Sequence, residues 1–167
     1  MVWTNPATWA AGAVLTAAQL NAQVRDNFKA IGDAATAYTP TWAGTGSNPA
    51  IGNGTITGGY NLAGKRLWFW MQVTMGTTTT YGSGTWTLSL PAGLTAAAGF
   101  WNFNGIARDL SAGAVYPMFA QPTGGTAVAV RTLPTTAGNP LVSATGTVPF
   151  TWATGDSLFV HGEAETL

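Results

Sequence analysis

The chain has 167 residues, no cysteine and equal numbers of basic and acidic residues, and only 7% of it is charged, against about 25% in an average soluble domain. No apolar run reaches the ~18 residues of a membrane-spanning helix, and a hydrophobic content of 46% argues against disorder. Zero net charge argues against nucleic-acid binding, and the absence of cysteine excludes disulfides, Cys-based zinc sites and thiol catalysis.

The first predicted element is a helix over about residues 16–32, within an N-terminal segment of residues 1–37. Thr16 followed by Gln19 is a capping-box pattern, and Gly32 is expected to end the helix in the left-handed conformation. An a/d stripe at spacings of three and four runs along the helix, with Phe28 beside it: Ala17, Leu20, Val24, Asn27 and Ile31.

A helix of about 15 residues is marginal in isolation, so this stripe must dock. Two interpretations stay open: the helix packs on its own β domain, or it forms a short parallel bundle with sister chains. In the bundle the trimerisation residues would be Leu20, Val24, Asn27, Phe28 and Ile31, and Asn27 would set the register.

From residue 38 onward the chain is predicted to be a β head, residues 38–167. Runs of apolar and β-branched residues bounded by Gly, Pro, Asn and Ser predict the strands: 39–44, 54–62, 65–75, 85–90, 99–108, 114–120, 126–132 and 157–165. Short strands at this spacing favour an antiparallel β-sandwich of the jelly-roll type. Ala63 and Gly64 predict a hairpin turn, and residues 133–150 predict a long loop or irregular edge.

The predicted strand at 65–75 carries large apolar residues on both of its faces. Strand residues alternate between faces, so one face is a core set: Leu67, Phe69, Met71, Val73 and Met75. The other face holds Arg66, Trp68, Trp70 and Gln72, and tryptophans there need cover or a ligand.

Three interpretations of this second face stay open. A loop, or the N-terminal segment with Trp3 and Trp9, covers the tryptophans. Alternatively the face is a subunit interface, where Trp and Arg are favoured. In the third interpretation it is a glycan platform, because flat aromatic rings bind the apolar faces of sugars.

The last predicted strand places His161, Glu163 and Glu165 on one face, together with Phe159. These are metal-ligand residue types, but strand neighbours two apart lie about 6.6–6.8 Å from each other. They are therefore a weak metal candidate, a polar outer face is the ordinary explanation, and we expect no metal or other cofactor.

Catalytic patterns are missing, so we expect no enzymatic activity. His161 is the single histidine, and no serine stands in a nucleophile motif. A glycosidase needs two facing carboxylates, and pairing Asp109 with Asp156 or Glu163 is unsupported by spacing. Asp156 is better explained as a turn residue that caps local backbone.

Three stretches resemble virion structural proteins of tailed bacteriophages and prophages, especially those of actinobacteria. The first reads WAAGAVLTAAQLN at 9–21, followed by VRDNF at 24–28. The second reads YTPTW at 38–42 and NPAIGNGT at 48–55, similar to the opening of the β domain in those proteins. The third, PFTWATGD at 149–156, is similar to their ending.

The resemblance implies a minor tail, fibre or receptor-binding type of protein. It implies a homotrimer whose N-terminal segment attaches to other virion proteins and whose jelly-roll-like head points outward. We expect this head to bind a host-surface glycan or another virion protein. We expect synthesis in the host cytoplasm, because no secretory signal pattern is present, location in the virion, and no membrane insertion. The alternatives are a capsid decoration protein or head fibre and, from another class, a small carbohydrate-active enzyme.

Overall fold

One N-terminal helix and ten strands form the chain in this computed structural model, which describes residues 3–97, 103–134 and 140–167. The prediction of a mainly β protein with a short helix is therefore confirmed. Within those residues, no helix has both the length and the apolar character needed to cross a membrane.

The helix begins as the capping box predicts. The Thr16 hydroxyl oxygen accepts from the Gln19 N–H at 3.2 Å, and the Gln19 side chain accepts from the Thr16 N–H at 2.9 Å. The helix is α-helical over Ala17–Leu20, makes a wide π turn over Asn21–Arg25 and is α-helical again over Asp26–Gly32. It ends at Gly32 as predicted, but Gly32 does not adopt the left-handed conformation.

The π turn changes which residues share a face of the helix. Its hydrogen bonds reach one residue further than those of an α-helix, and each residue adds about 100° of rotation. The second half is therefore rotated by roughly one residue, which brings Phe28 into line with Leu20 and Val24 and moves Asn27 away from them.

The strands begin before the predicted head and follow its predicted runs closely. They are β1 (Thr36–Tyr38), β2 (Trp42–Gly44), β3 (Thr55–Ala63), β4 (Arg66–Thr74), β5 (Trp86–Ser89), β6 (Phe103–Asp109), β7 (Ala114–Pro122), β8 (Ala127–Thr132), β9 (Val142–Ser143) and β10 (Ser157–Glu165). The sequence analysis missed β1 and β9, which are only three and two residues long. Residues 99–102 of the predicted fifth strand, and 135–139 of the predicted loop, lie outside the described residues.

All ten strands belong to one antiparallel sheet, in the order β1-β3-β4-β10-β6-β7-β8-β5-β2, with β9 beside β8. The sheet curls like a half-barrel, because its edge strands β1 and β2 are separated by only three residues of chain. The N–H of Thr41, in that link, donates to the Ser89 hydroxyl at 2.8 Å, and the Tyr38 hydroxyl donates to the Ser89 carbonyl at 3.5 Å. Burial raises the pKa of Tyr38.

The two-sheet sandwich is not confirmed by this arrangement. A sandwich and a curled sheet both alternate inward and outward residues along each strand. The alternation therefore predicts the inner residues correctly in either case and does not tell the two arrangements apart.

One core fills the inside of the curl. It contains the whole predicted core set of β4, which is at most 4% exposed. Trp86 stands at the centre of an aromatic group, with ring centres 4.8 Å from Trp42, 5.2 Å from Trp152 and 6.3 Å from Tyr81. Burying side chains of this size is the main stabilising term of the fold.

Two turns behave as their residue types suggest. The hairpin between β3 and β4 turns at Gly64 and Lys65, one residue later than predicted, with Gly64 at φ +62°. Asp156 is buried and accepts from the N–H groups of Leu110 at 2.9 Å and Ala153 at 2.6 Å. Its predicted role in capping local backbone is confirmed.

Candidate functional site

The sheet order places two sets of predicted residues side by side. β10 pairs with β4 along its whole length, so that Gln72 lies opposite Phe159, Trp70 opposite His161 and Trp68 opposite Glu163. We call this surface the outer aromatic face, defined by Asn61, Trp68, Trp70, Gln72, Phe159 and His161. Trp68 is 39% exposed, and Gln72 and His161 are also exposed.

Gly59 on β3 gives the indole of Trp70 its position. The two residues are register partners, and a Cβ on Gly59 would stand 2.6 Å from Trp70 Nε1. Only a glycine therefore leaves room for the ring where it lies. On the other side, the ring centre of Phe159 is 6.4 Å from that of Trp70, and the ring planes differ by 20°.

The rings line an open depression of about 690 Å³ across β3, β4 and β10. Small-molecule sites commonly have volumes of about 300–1,000 Å³. Asn61 Nδ2 donates to the Asp33 carbonyl at 2.9 Å, whereas the Gln72 and His161 side chains have no hydrogen bond to any described residue. The apolar surface continues onto β6, where Ile106 is the register partner of Phe159.

Arg66 and Glu163 close one end of the face with a direct ion pair, in which Arg66 Nη1 donates to Glu163 Oε1. The weak metal candidate of the last strand therefore has one of its carboxylates engaged by a cation. Across residues 3–97, 103–134 and 140–167 there is no group of three metal-ligating side chains that could hold an ion.

The N-terminal tryptophans are not found over this face. Trp3 lies at the β3–β4 turn, where its indole atoms come within 3.8–3.9 Å of the position of a Cβ on Gly64. Trp9 is itself exposed, and neither residue lines the depression. Of the three interpretations, cover by the N-terminal segment has no support among the described contacts, while the interface and the glycan platform stay predictions.

The helix has a second exposed apolar surface, the helix stripe, defined by Leu20, Val24, Phe28 and Ile31. Phe28 is 72% exposed and Ile31 60%. The helix does contact β3, but its buried residues are Asn27 and Ala30, on another face. The helix thus packs on its own β domain without burying the stripe.

Asn27 is engaged within its own chain. Its side chain accepts from the Thr4 N–H at 2.9 Å and donates to the carbonyls of Thr4 at 2.8 Å and Gln23 at 3.1 Å. The Gln23 side chain accepts from the Ala7 N–H at 2.8 Å. We call this set of hydrogen bonds the Asn27 clasp, which holds the N-terminal segment along the helix. Asn27 is therefore not available to set a bundle register as the sequence analysis proposed.

Asp109 and Asp156, two of the candidate catalytic carboxylates, accept hydrogen bonds from turn residues. Asp109 accepts from the Ala112 N–H at 2.9 Å and the Ser111 hydroxyl at 2.8 Å, and these hydrogen bonds lower the pKa of Asp109. Asp156 is buried and accepts hydrogen bonds from two backbone N–H groups. Burial withholds Asp156 from a substrate, whereas Asp109 is engaged in its own turn through Oδ1.

Sequence reasoning missed Gly59, Asn61 and Ile106 as parts of this surface. One signal was present, because paired glycines inside a strand, here Gly58 and Gly59, indicate a close approach by another group. Asn61 and Ile106 carried no such signal, since their place depends on which strands are neighbours.

Comparison of the whole chain with protein-family models, with curated proteins and with solved structures finds no match.

Proposed function

We propose that this chain is a non-enzymatic structural protein of a tailed-phage virion. It is a homotrimeric appendage of the minor tail, fibre or receptor-binding type, and the curled sheet is its head. The N-terminal segment attaches to other virion proteins, and the head binds a host-surface glycan or a neighbouring virion protein. The phage assignment comes from the resemblance at residues 9–28, 38–55 and 149–156.

The observation that supports self-association is the exposed helix stripe. Its four apolar side chains follow one another along one face of the helix, and they remain exposed although the helix is docked on the sheet. Burying side chains such as Leu, Val, Phe and Ile contributes about 1.5–3 kcal/mol each. Three parallel copies would cover these stripes mutually.

The Asn27 clasp supports the same arrangement. Because Asn27 and Ala30 anchor the helix to the N-terminal segment and to β3, the stripe is held pointing away from the sheet. The helix does not have to leave its own head in order to associate. The number of chains, three rather than two, rests on the resemblance.

Light scattering after size-exclusion chromatography tests the oligomer at micromolar protein. We expect three times the mass of one chain for the native protein and one chain mass for Phe28→Ser. Val14→Ser is the matched control, because Val14 is 91% exposed but precedes the helix. A native monomer would overturn the trimer.

Mass spectrometry and antibody labelling of purified particles test the location. We expect the protein at the tail, in few copies. Many copies on the capsid would instead support a capsid decoration protein or head fibre. The carbohydrate-active enzyme would be favoured only by cleavage of host polysaccharide that Asp109→Asn or Glu163→Gln abolishes.

A further inference from the structure

We propose that the outer aromatic face is a binding site for a neutral carbohydrate, with a pyranose ring packed on Trp70 and its hydroxyls bound by Gln72 and His161. This proposal rests on the proposed function in one respect, because it names the class of ligand that the head binds. The site itself is argued from the geometry of β3, β4 and β10.

The first step is the shape of the site. Gly59 lets the Trp70 indole lie over β3, and Phe159 adds a second ring nearly parallel to it at 6.4 Å. Both rings line an open depression of about 690 Å³. The C–H groups on one face of a pyranose pack against such rings, and burying this apolar surface favours binding.

The second step is the supply of hydrogen bonds beside the rings. Gln72 offers two donors and an acceptor, and a neutral His161 offers one of each. Neither side chain uses them on another described residue. Sugar hydroxyls both donate and accept, so a single ring can satisfy both side chains while it stacks on Trp70.

The same groups argue against an apolar protein partner at this face. Covering Gln72 and His161 with apolar side chains would leave their polar atoms without water or partners, at about 1–3 kcal/mol for each unsatisfied group. The helix stripe has no such groups among its own residues. Self-association therefore fits the helix, and a polar ligand fits the sheet.

The third step is charge. The charged residues on the outward side of β4 and β10 are Arg66, Glu163 and Glu165, all at one end, and Arg66 is paired with Glu163. Among the described residues that line the depression, none is an arginine or lysine that could bind a phosphate or a polyanion. Arg108, the register partner of Ser157 on β6, is on the same side of the sheet but lies outside that lining. A neutral ligand therefore fits the lining of the depression better than an anionic one does.

Saturation-transfer NMR on the native oligomer tests the site, with millimolar cellotriose, maltotriose, mannotriose and lactose as probes. We expect transfer to at least one sugar, strongest at the C–H protons of one ring face, and loss of that transfer in Trp70→Ala. Trp9→Ala is the matched control, since Trp9 is an exposed tryptophan that does not line the depression.

A second variant covers the case in which Trp70→Ala fails to fold. Gln72 is exposed, so Gln72→Ala leaves folding intact and should weaken Kd by about 2–10-fold through one lost hydrogen bond. Val115→Ala, an apolar truncation at an exposed residue of β7 that does not line the depression, should leave Kd unchanged.

Three results would overturn the carbohydrate site. These are no transfer to any of the four sugars, transfer that persists in folded Trp70→Ala, or a native oligomer that dissociates in Trp70→Ala, which would make the face a protein interface. Failure of the trimer would show as a monomer that still binds sugar, so the two proposals fail separately.

Discussion

The molecule exposes apolar side chains in two places, the helix stripe and the outer aromatic face, and they differ in what accompanies the apolar atoms. The stripe consists of aliphatic and phenyl groups on a helix, with Phe28 and Ile31 the most exposed of them. The outer aromatic face consists of flat rings beside Gln72 and His161, on strands paired from both sides.

This difference indicates different occupants. A surface of apolar groups alone is satisfied by another apolar surface, which a copy of the same helix supplies. Rings with free donors and acceptors beside them are satisfied by a ligand that is apolar on one face and polar at its edge. Exposure by itself does not identify a partner, whereas the neighbouring polar atoms do.

The largest effect is expected from a charge placed in the stripe. Phe28→Glu would put a carboxylate from every chain into the centre of the bundle, where desolvation costs several kcal/mol per ion. We expect complete loss of the trimer by light scattering, with sugar binding by the head retained. Ala18→Glu, exposed on the opposite side of the first helical turn, should leave the trimer intact. A trimer that survives Phe28→Glu would show that the stripe is not its interface.

Gly59→Ala should displace Trp70 and so disrupt the outer aromatic face. The new Cβ would stand 2.6 Å from Trp70 Nε1, so the indole must move, at a cost of about 1–3 kcal/mol typical of overpacking. We expect a lower urea midpoint and loss of sugar transfer, with no change in oligomer mass. Gly32→Ala is the matched control, because a Cβ on Gly32 meets nothing within 4 Å. An unchanged sugar Kd in Gly59→Ala would contradict the role of Trp70.

Asn27→Ala tests whether the Asn27 clasp and the helix stripe have separate roles. Asn27 is 6% exposed and makes three hydrogen bonds, and a typical hydrogen bond contributes about 0.5–1.5 kcal/mol net to stability. We expect faster hydrogen exchange at the Thr4 amide and an unchanged oligomer mass. Gln23→Ala, which removes the bond to the Ala7 N–H, should speed exchange at Ala7 instead. Loss of the trimer in Asn27→Ala would show that Asn27 contributes to the interface between chains.

Much of the local structure could be predicted from the sequence. Alternation along β4 correctly separates its buried set from Trp68 and Trp70, because the strand period of two needs no knowledge of neighbours. The capping box of Thr16 and Gln19 is likewise confirmed, since it depends only on residues three apart.

Long-range and irregular features could not be predicted in the same way. Nothing in the pattern of β4 indicates that β10 is its neighbour. The position of Trp70 beside His161 and Phe159 is therefore visible only in the fold. The π turn at Asn21–Arg25 breaks the regular helical period. For that reason the predicted stripe contained Asn27, where the structure aligns Phe28 instead.

The smallest effect is expected at the end of the outer aromatic face, where Arg66 pairs with Glu163. Both side chains are well exposed, and exposed ion pairs contribute about 0–1 kcal/mol. We expect Arg66→Gln and Glu163→Gln to change the free energy of unfolding by less than about 1 kcal/mol each, with the difference vanishing at high salt. A double-mutant cycle measures the coupling of the pair.

The sugar Kd should stay unchanged in both variants, because the proposed ligand is neutral and stacks on Trp70. If either variant weakens sugar binding by as much as Gln72→Ala does, the site extends to the charged end and Arg66 or Glu163 contacts the sugar.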